Sequence, residues 1–66
     1  MQKIVEIEGM MCAHCAGRVE GALKQLPGET VTVQLAHKRA VVSGPATDEQ
    51  IKQAVEKAGY RVTSIR

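Results

Sequence analysis

The chain has 66 residues, enough for one small domain, and its nine basic and seven acidic residues are mixed along it for a net charge of +2. No block of like charge selects nucleic acid or an anionic membrane, and with no phenylalanine, no tryptophan and one tyrosine there is no aromatic platform for stacking bases. The core must therefore be made of Val, Ile, Leu, Ala and Met side chains, in a domain that buries only about 60% of its unfolded surface.

In chain order, Val5 and Ile7 alternate with Lys3, Glu6 and Glu8, the pattern of a half-buried strand from about Gln2 to Glu8, and Gly9 ends it. From Ala13 to Leu26 the apolar residues Cys15, Val19, Ala22, Leu23 and Leu26 recur at helical spacing. Arg18, Glu20, Lys24 and Gln25 occupy the opposite face, and Pro27-Gly28 stops the helix. "TVTVQL" puts Val31, Val33 and Leu35 on one face of a second strand, "AHK" reads as a turn, and "RAVVSG" returns as a third strand closed by Gly44-Pro45. "TDEQ" is a capping box with Thr47 as N-cap and Gln50 three residues on. Ile51, Ala54, Val55 and Ala58 follow as a buried stripe, with Gly59 as the C-terminal stop, and "YRVTSI" makes a last strand.

Strand, helix, strand, strand, helix, strand predicts an α+β, ferredoxin-like βαββαβ sandwich, with two helices on one face of a four-stranded antiparallel sheet. Residues 1–66 are expected to form this single domain, since no linker, repeat or low-complexity segment interrupts it. The topology gathers three connections at one end: Gly9 to Ala13, Ala36 to Lys38, and Gly59-Tyr60. The N-terminus lacks the continuous apolar stretch of a leader and no segment approaches membrane-spanning length, so the expected location is cytoplasmic, without direct membrane insertion.

The chemistry-bearing stretch is "GMMCAHCAG", Gly9 to Gly17, which holds both cysteines, His14 and two of the three methionines. In a reducing compartment a Cys-x-x-Cys pair points to metal binding or redox catalysis rather than to a structural disulfide. Cys12 falls in the loop and Cys15 in the first helical turn, where free backbone amides and the positive end of the helix dipole favour thiolate, so a lowered thiol pKa is expected. Residues three apart at a helix start have β-carbons about 5–6 Å apart, so the two sulfurs are able to flank one ion at metal–sulfur distances of about 2.3 Å, taking zinc as the guide. A structural zinc site wants four ligands, and the chain has two cysteines and two histidines in all. Two thiolates without a carboxylate instead suit a soft ion, Cu(I) first, with Ag(I) and Hg(II) as mimics. A two-coordinate ion also leaves room for a partner's thiolate to add and displace one sulfur, so the metal transfers without being free in solution.

"GMMCAHC" resembles the GMxCxxC signature of the heavy-metal-associated domain family, found in small copper chaperones and in the N-terminal modules of metal-pumping P-type ATPases. The resemblance extends over nearly the whole chain through "LPG" after the first helix and "AGY" before the last strand. It implies that Cys12 and Cys15 are the metal ligands, that Met10 is a buried methionine supporting the loop, and that Tyr60 lies beside the ligands. The partners it implies are a metal-transporting P-type ATPase or a copper-responsive regulator, with a metal-bridged homodimer as a further pairing. The lack of a leader or fused pump favours a stand-alone chaperone. The chain departs from the family at Met11, where a small hydroxyl residue is usual, and in being one residue shorter between Gly28 and the strand valines.

Other residues have plainer roles. Met10 is core filler by its strand-end position, and Met11 is exposed or part of an apolar rim facing a partner, with a weak thioether contact to copper as the lesser alternative. His14 and His37 are read as solvated, His14 being the better third ligand of the two, across a dimer interface. Arg18, Lys24, Lys38 and Arg39 are a solvated face more readily than a docking patch. Two other functions use the same cysteines. Thiol–disulfide exchange is disfavoured because "AH" separates them and only Pro27 and Pro45 exist to support such a site. A Hg(II) or Zn(II)/Cd(II) module of the same fold is the other, with zinc disfavoured by the lack of a nearby carboxylate. No acid–base pair, phosphate loop or nucleophile triad is present, so no enzymatic activity is expected.

Overall fold

The structure is a computed structural model that describes residues 2–66. Its elements are β1 (Gln2–Glu8), α1 (Ala13–Lys24), β2 (Thr30–Gln34), a 3₁₀ turn (Leu35–His37), β3 (Arg39–Ser43), α2 (Asp48–Lys57) and β4 (Arg61–Ile65). The sheet order is β2-β3-β1-β4 with every pairing antiparallel. This is the ferredoxin-like sandwich that the element order predicts, with both helices on one sheet face.

Alternation decides which residues make the core. Val5 stands opposite Ala40 on β3 and Ile65 on β4, while Ile7 stands opposite Val62. Between Glu6 and Ile7 the β4 register shifts, and Thr63 at the irregularity donates its hydroxyl to the Glu6 carbonyl at 3.3 Å. The inward set meets Val19 and Leu23 of α1 and Ile51 and Val55 of α2, all four fully buried. At about 1.5–3 kcal/mol for each large aliphatic side chain fully buried, these contacts outweigh the exposed ion pairs Glu20–Lys24 and Glu8–Arg61.

The two helices begin and end by different means. Thr47 caps α2 in a complete capping box: its hydroxyl accepts from Gln50 N at 3.1 Å, and the Gln50 side chain accepts from Thr47 N at 2.9 Å. The C-terminus of α2 is a Schellman motif around Gly59 (φ +98), in which Gly59 N donates to Glu56 O and Tyr60 N to Val55 O. That last bond takes Tyr60 out of β4, so the strand starts at Arg61 and not at the tyrosine. The α1 helix stops at Lys24, two residues before the expected Leu26, because Pro27 disfavours helical geometry at the residue before it. Leu26, Pro27, Gly28 and Glu29 form a tight turn, with Gly28 at φ +78 and Glu29 N bonded to Leu26 O.

The second strand is also shorter than its pattern. Leu35 leaves β2 for the 3₁₀ turn, where its carbonyl accepts from Lys38 N at 3.0 Å and Lys38 takes a left-handed conformation (φ 53) to reverse the chain. Leu35 remains packed against the core from that position. The Lys38 carbonyl in turn accepts from Ile7 N at 3.0 Å, which fixes the hairpin turn at the end of β1 from which the cysteine loop departs.

Candidate metal centre

The loop is built from alternate anchoring and exposure. Gly9 adopts φ +96, a conformation other residues rarely take, and turns the chain out of the strand. Met10 then points inward and is fully buried, while Met11 points outward and is 75% exposed. Two adjacent methionines thus serve opposite ends: one ties the loop to the core and the other stands in solvent.

Cys12 is the N-cap of α1, in extended geometry (φ −147, ψ 167), and its side chain makes no capping hydrogen bond. The usual capping residues carry an oxygen and stabilise a helix by about 0.5–2 kcal/mol relative to a residue that cannot cap. Here the position is given to a sulfur, in contrast to the full capping box of α2. Cys15 lies one turn on, half-buried against the core, and Cys12 is exposed. Their Sγ atoms are 3.2 Å apart and hydrogen-bonded, and both thiols are free.

Donors surround the inner sulfur. The Tyr60 hydroxyl is the largest influence on the Cys15 thiol, followed by the Cys12 thiol, then by burial, which opposes them, and last by the backbone amides of Met11 and Cys12. Together they bring its pKa from 9.0 down to about 7. The same hydrogen bond, with Cys15 as acceptor, raises the pKa of Tyr60. The lowered thiol expected from the sequence is thus present, but its first cause is a tyrosine hydroxyl and not the helix dipole. Tyr60 reaches the site because the Schellman turn delivers it there; a Cβ placed on Gly9 would sit 3.5 Å from its Cδ1.

The other candidates fall apart from this pair. His14 and His37 are both exposed, and among the described residues no cluster of three or more His, Cys, Asp or Glu side chains forms a metal-binding group. Of the four basic residues weighed as a patch, Lys24 pairs with Glu20 and the Arg39 Nε donates to Gln34 at 2.6 Å, so these two are held in local contacts. The loop amides that face Cys15 had no signal in the sequence, because any residue supplies them. Among the described residues no helix is long and apolar enough to cross a membrane.

The chain is similar to known proteins. The copper chaperone CopZ of Staphylococcus epidermidis is 40% identical over 65 residues, which cover 92% of this chain and 96% of that protein. A probable copper-transporting ATPase, PacS of Synechocystis, is 38% identical over 65 residues covering 94% of this chain, yet the chain spans only 9% of that pump. Among solved structures a CopZ metallochaperone superposes with a TM-score of 0.89 at 36% identity, covering 96% of this chain and all of the other. The heavy-metal-associated domain matches residues 4–61. With that match spanning most of its length, the chain belongs to the heavy-metal-associated domain family, a metal-binding, chaperone-like domain related to copper chaperones and to the N-terminal domains of P-type ATPases.

Proposed function

We propose that the chain is a carrier that holds one Cu(I) between the Cys12 and Cys15 thiolates and hands it to a partner by ligand exchange. The observation that carries this is the sulfur pair itself: two free thiols 3.2 Å apart at an exposed loop, with no third His, Cys, Asp or Glu group completing a cluster among the described residues. A pair of soft donors with no oxygen or nitrogen completing the set suits a monovalent soft ion and serves a four-coordinate Zn(II) badly. A Cys15 thiol of pKa about 7 gives up its proton readily at neutral pH, as binding requires.

Transfer follows from the unequal exposure of the sulfurs. A partner thiolate adds to Cu(I) on the solvent side to give a three-sulfur bridge. The exposed Cys12 sulfur then leaves and takes up a proton, and a second partner thiolate displaces Cys15 in the same way; copper remains Cu(I) throughout. The resemblance to the N-terminal domain of the pump PacS supports a copper-transporting P-type ATPase as the recipient, with the exchange in the cytoplasm. No group in the loop acts as a general base or substrate nucleophile in this scheme, and the carrier is not an enzyme.

The test is an anaerobic titration of reduced protein with Cu(I) and separately with Zn(II), each against a chelator of known affinity. One Cu(I) held against a strong chelator, lost in Cys12→Ser and Cys15→Ser, is expected, with Zn(II) held weakly. Tight Zn(II) with weak Cu(I), or stoichiometric Cu(I) retained in Cys15→Ser, would overturn the assignment.

A further inference from the structure

Met11 is the one large apolar side chain that the described residues expose, at 75%, and nothing in the packing of the domain accounts for it. Its neighbour Met10 is fully buried, so the loop does not lack an anchor. Met11 directly precedes Cys12 in the loop, so its backbone sits beside the sulfur pair. The side chain that starts there has three rotatable bonds and ends in a soft, uncharged thioether. It emerges on the solvent side, where Cys12 is also exposed. The inner side is already occupied, by the Tyr60 hydroxyl and the core beneath Cys15.

The coordination chemistry leaves one place for it. Two sulfurs suffice for Cu(I) and leave a third position open on it, and neither histidine joins them in a metal-binding cluster among the described residues. The soft donors within the loop are then the two thioethers, and Met10 is sealed in the core. We infer that the Met11 thioether serves as a third, labile donor to Cu(I), closing over the exposed face of the Cys12–Cys15 site and swinging away when a partner thiolate arrives. It is a specificity residue as well as a ligand. A thioether adds to the binding of Cu(I) and Ag(I) and contributes little toward Zn(II), which prefers thiolate, imidazole and carboxylate. Being neutral, it adds no charge that would hold the ion against transfer.

This inference rests on the copper reading above, and the experiment separates the two. Reduced protein labelled with ¹³C at the methionine methyl groups is followed by NMR as Cu(I), Ag(I) or Zn(II) is added, with the Met11 signal assigned by its loss in Met11→Leu. Cu(I) and Ag(I) are expected to shift the Met11 methyl strongly and the Met10 methyl little, and Zn(II) to leave Met11 in place. In chelator competition, Met11→Leu and Met11→Thr should each weaken Cu(I) by about tenfold, the lower end of what supporting groups contribute to metal affinity, with Zn(II) affinity unchanged. Leucine keeps the size and apolarity and removes only the sulfur, so full affinity in Met11→Leu with loss in Met11→Thr would overturn a ligand role in favour of packing. A static Met11 methyl in protein that has bound stoichiometric Cu(I) would overturn it too, while leaving the cysteine site intact. Failure of the unaltered protein to bind Cu(I) at all would overturn the copper reading and this inference together.

Discussion

Replacing Met10 with alanine tests whether the loop is held from beneath. Met10 is fully buried and joins the cluster containing Val5, Val19, Leu23 and Ile51, so truncation removes its transfer energy and leaves a cavity under the cysteine loop. Buried Met→Ala changes cost about 2–5 kcal/mol. The site is at the end of the sheet, where the loop has freedom to settle, so the lower half of that range applies, about 2–3 kcal/mol. A chain of this length has a total stability of about 3–10 kcal/mol at ~0.05–0.15 kcal/mol per residue. The loss should lower Tm by about 10–20 °C, since each kcal/mol is worth about 4–8 °C in a domain of this size. The assay is thermal unfolding by circular dichroism on reduced, metal-free Met10→Ala, with Met10→Leu expected to stay within about 1.5 kcal/mol of the unaltered protein. Met11→Ala, one residue along and in solvent, is the internal control and should change stability by no more than about 0.5 kcal/mol. A Met10→Ala protein melting within a few degrees of the unaltered one, or as well as Met11→Ala, would refute the view that buried Met10 anchors the loop.

Tyr60→Phe removes the hydroxyl that most lowers the Cys15 thiol. Its pKa should therefore rise from about 7 toward 9.0, and the thiolate absorbance of the reduced protein at neutral pH should fall from about half-developed to a small fraction; an unchanged titration midpoint would remove Tyr60 from the account. Because the folded pKa lies below the unfolded one, ionised Cys15 adds stability that is fully present above pH 9 and is lost as pH falls through about 7. Metal-free protein should accordingly gain Tm over Cys15→Ser across that window. Thr47→Ala removes the hydroxyl that accepts from Gln50 N, leaving only the bond from the residue 47 backbone N–H to the Gln50 side chain, and should cost about 1 kcal/mol, read as a denaturant midpoint shift at constant slope. Gly44→Ala should destabilise because its Cβ would lie 2.6 Å from the Gly28 carbonyl and press on the Glu29 carboxylate that accepts from Ala46 N at 2.8 Å; a midpoint unmoved by the methyl would show that this turn gives way freely.

Local pattern alone reached the element order, because a period of two in β1 and a period of 3.6 in both helices are written directly in which residues are apolar. The α2 boundaries were legible for the same kind of reason: Thr47 with Gln50 and Gly59 satisfy backbone groups that every helix end leaves open. The cysteine pair was legible by spacing, and the soft-metal preference proposed for it rests on the chemistry of sulfur. The misses are all at ends. Leu26 lost its place in α1 to the proline after it. Leu35 went to a turn that the chain needs to reverse direction, and Tyr60 to a hydrogen bond closing α2.

What the tertiary structure alone decided is the environment of the sulfurs. Which of two adjacent methionines is buried depends on which way the loop leaves β1. That a tyrosine 45 positions beyond Cys15 in the sequence sets its acidity depends on the strand order placing β4 beside β1. Spacing along the chain fixes which groups are near in sequence, and so it finds the cysteine pair. Acidity and exposure depend on groups brought from distant segments, and those are set only when the sheet has closed around a common core.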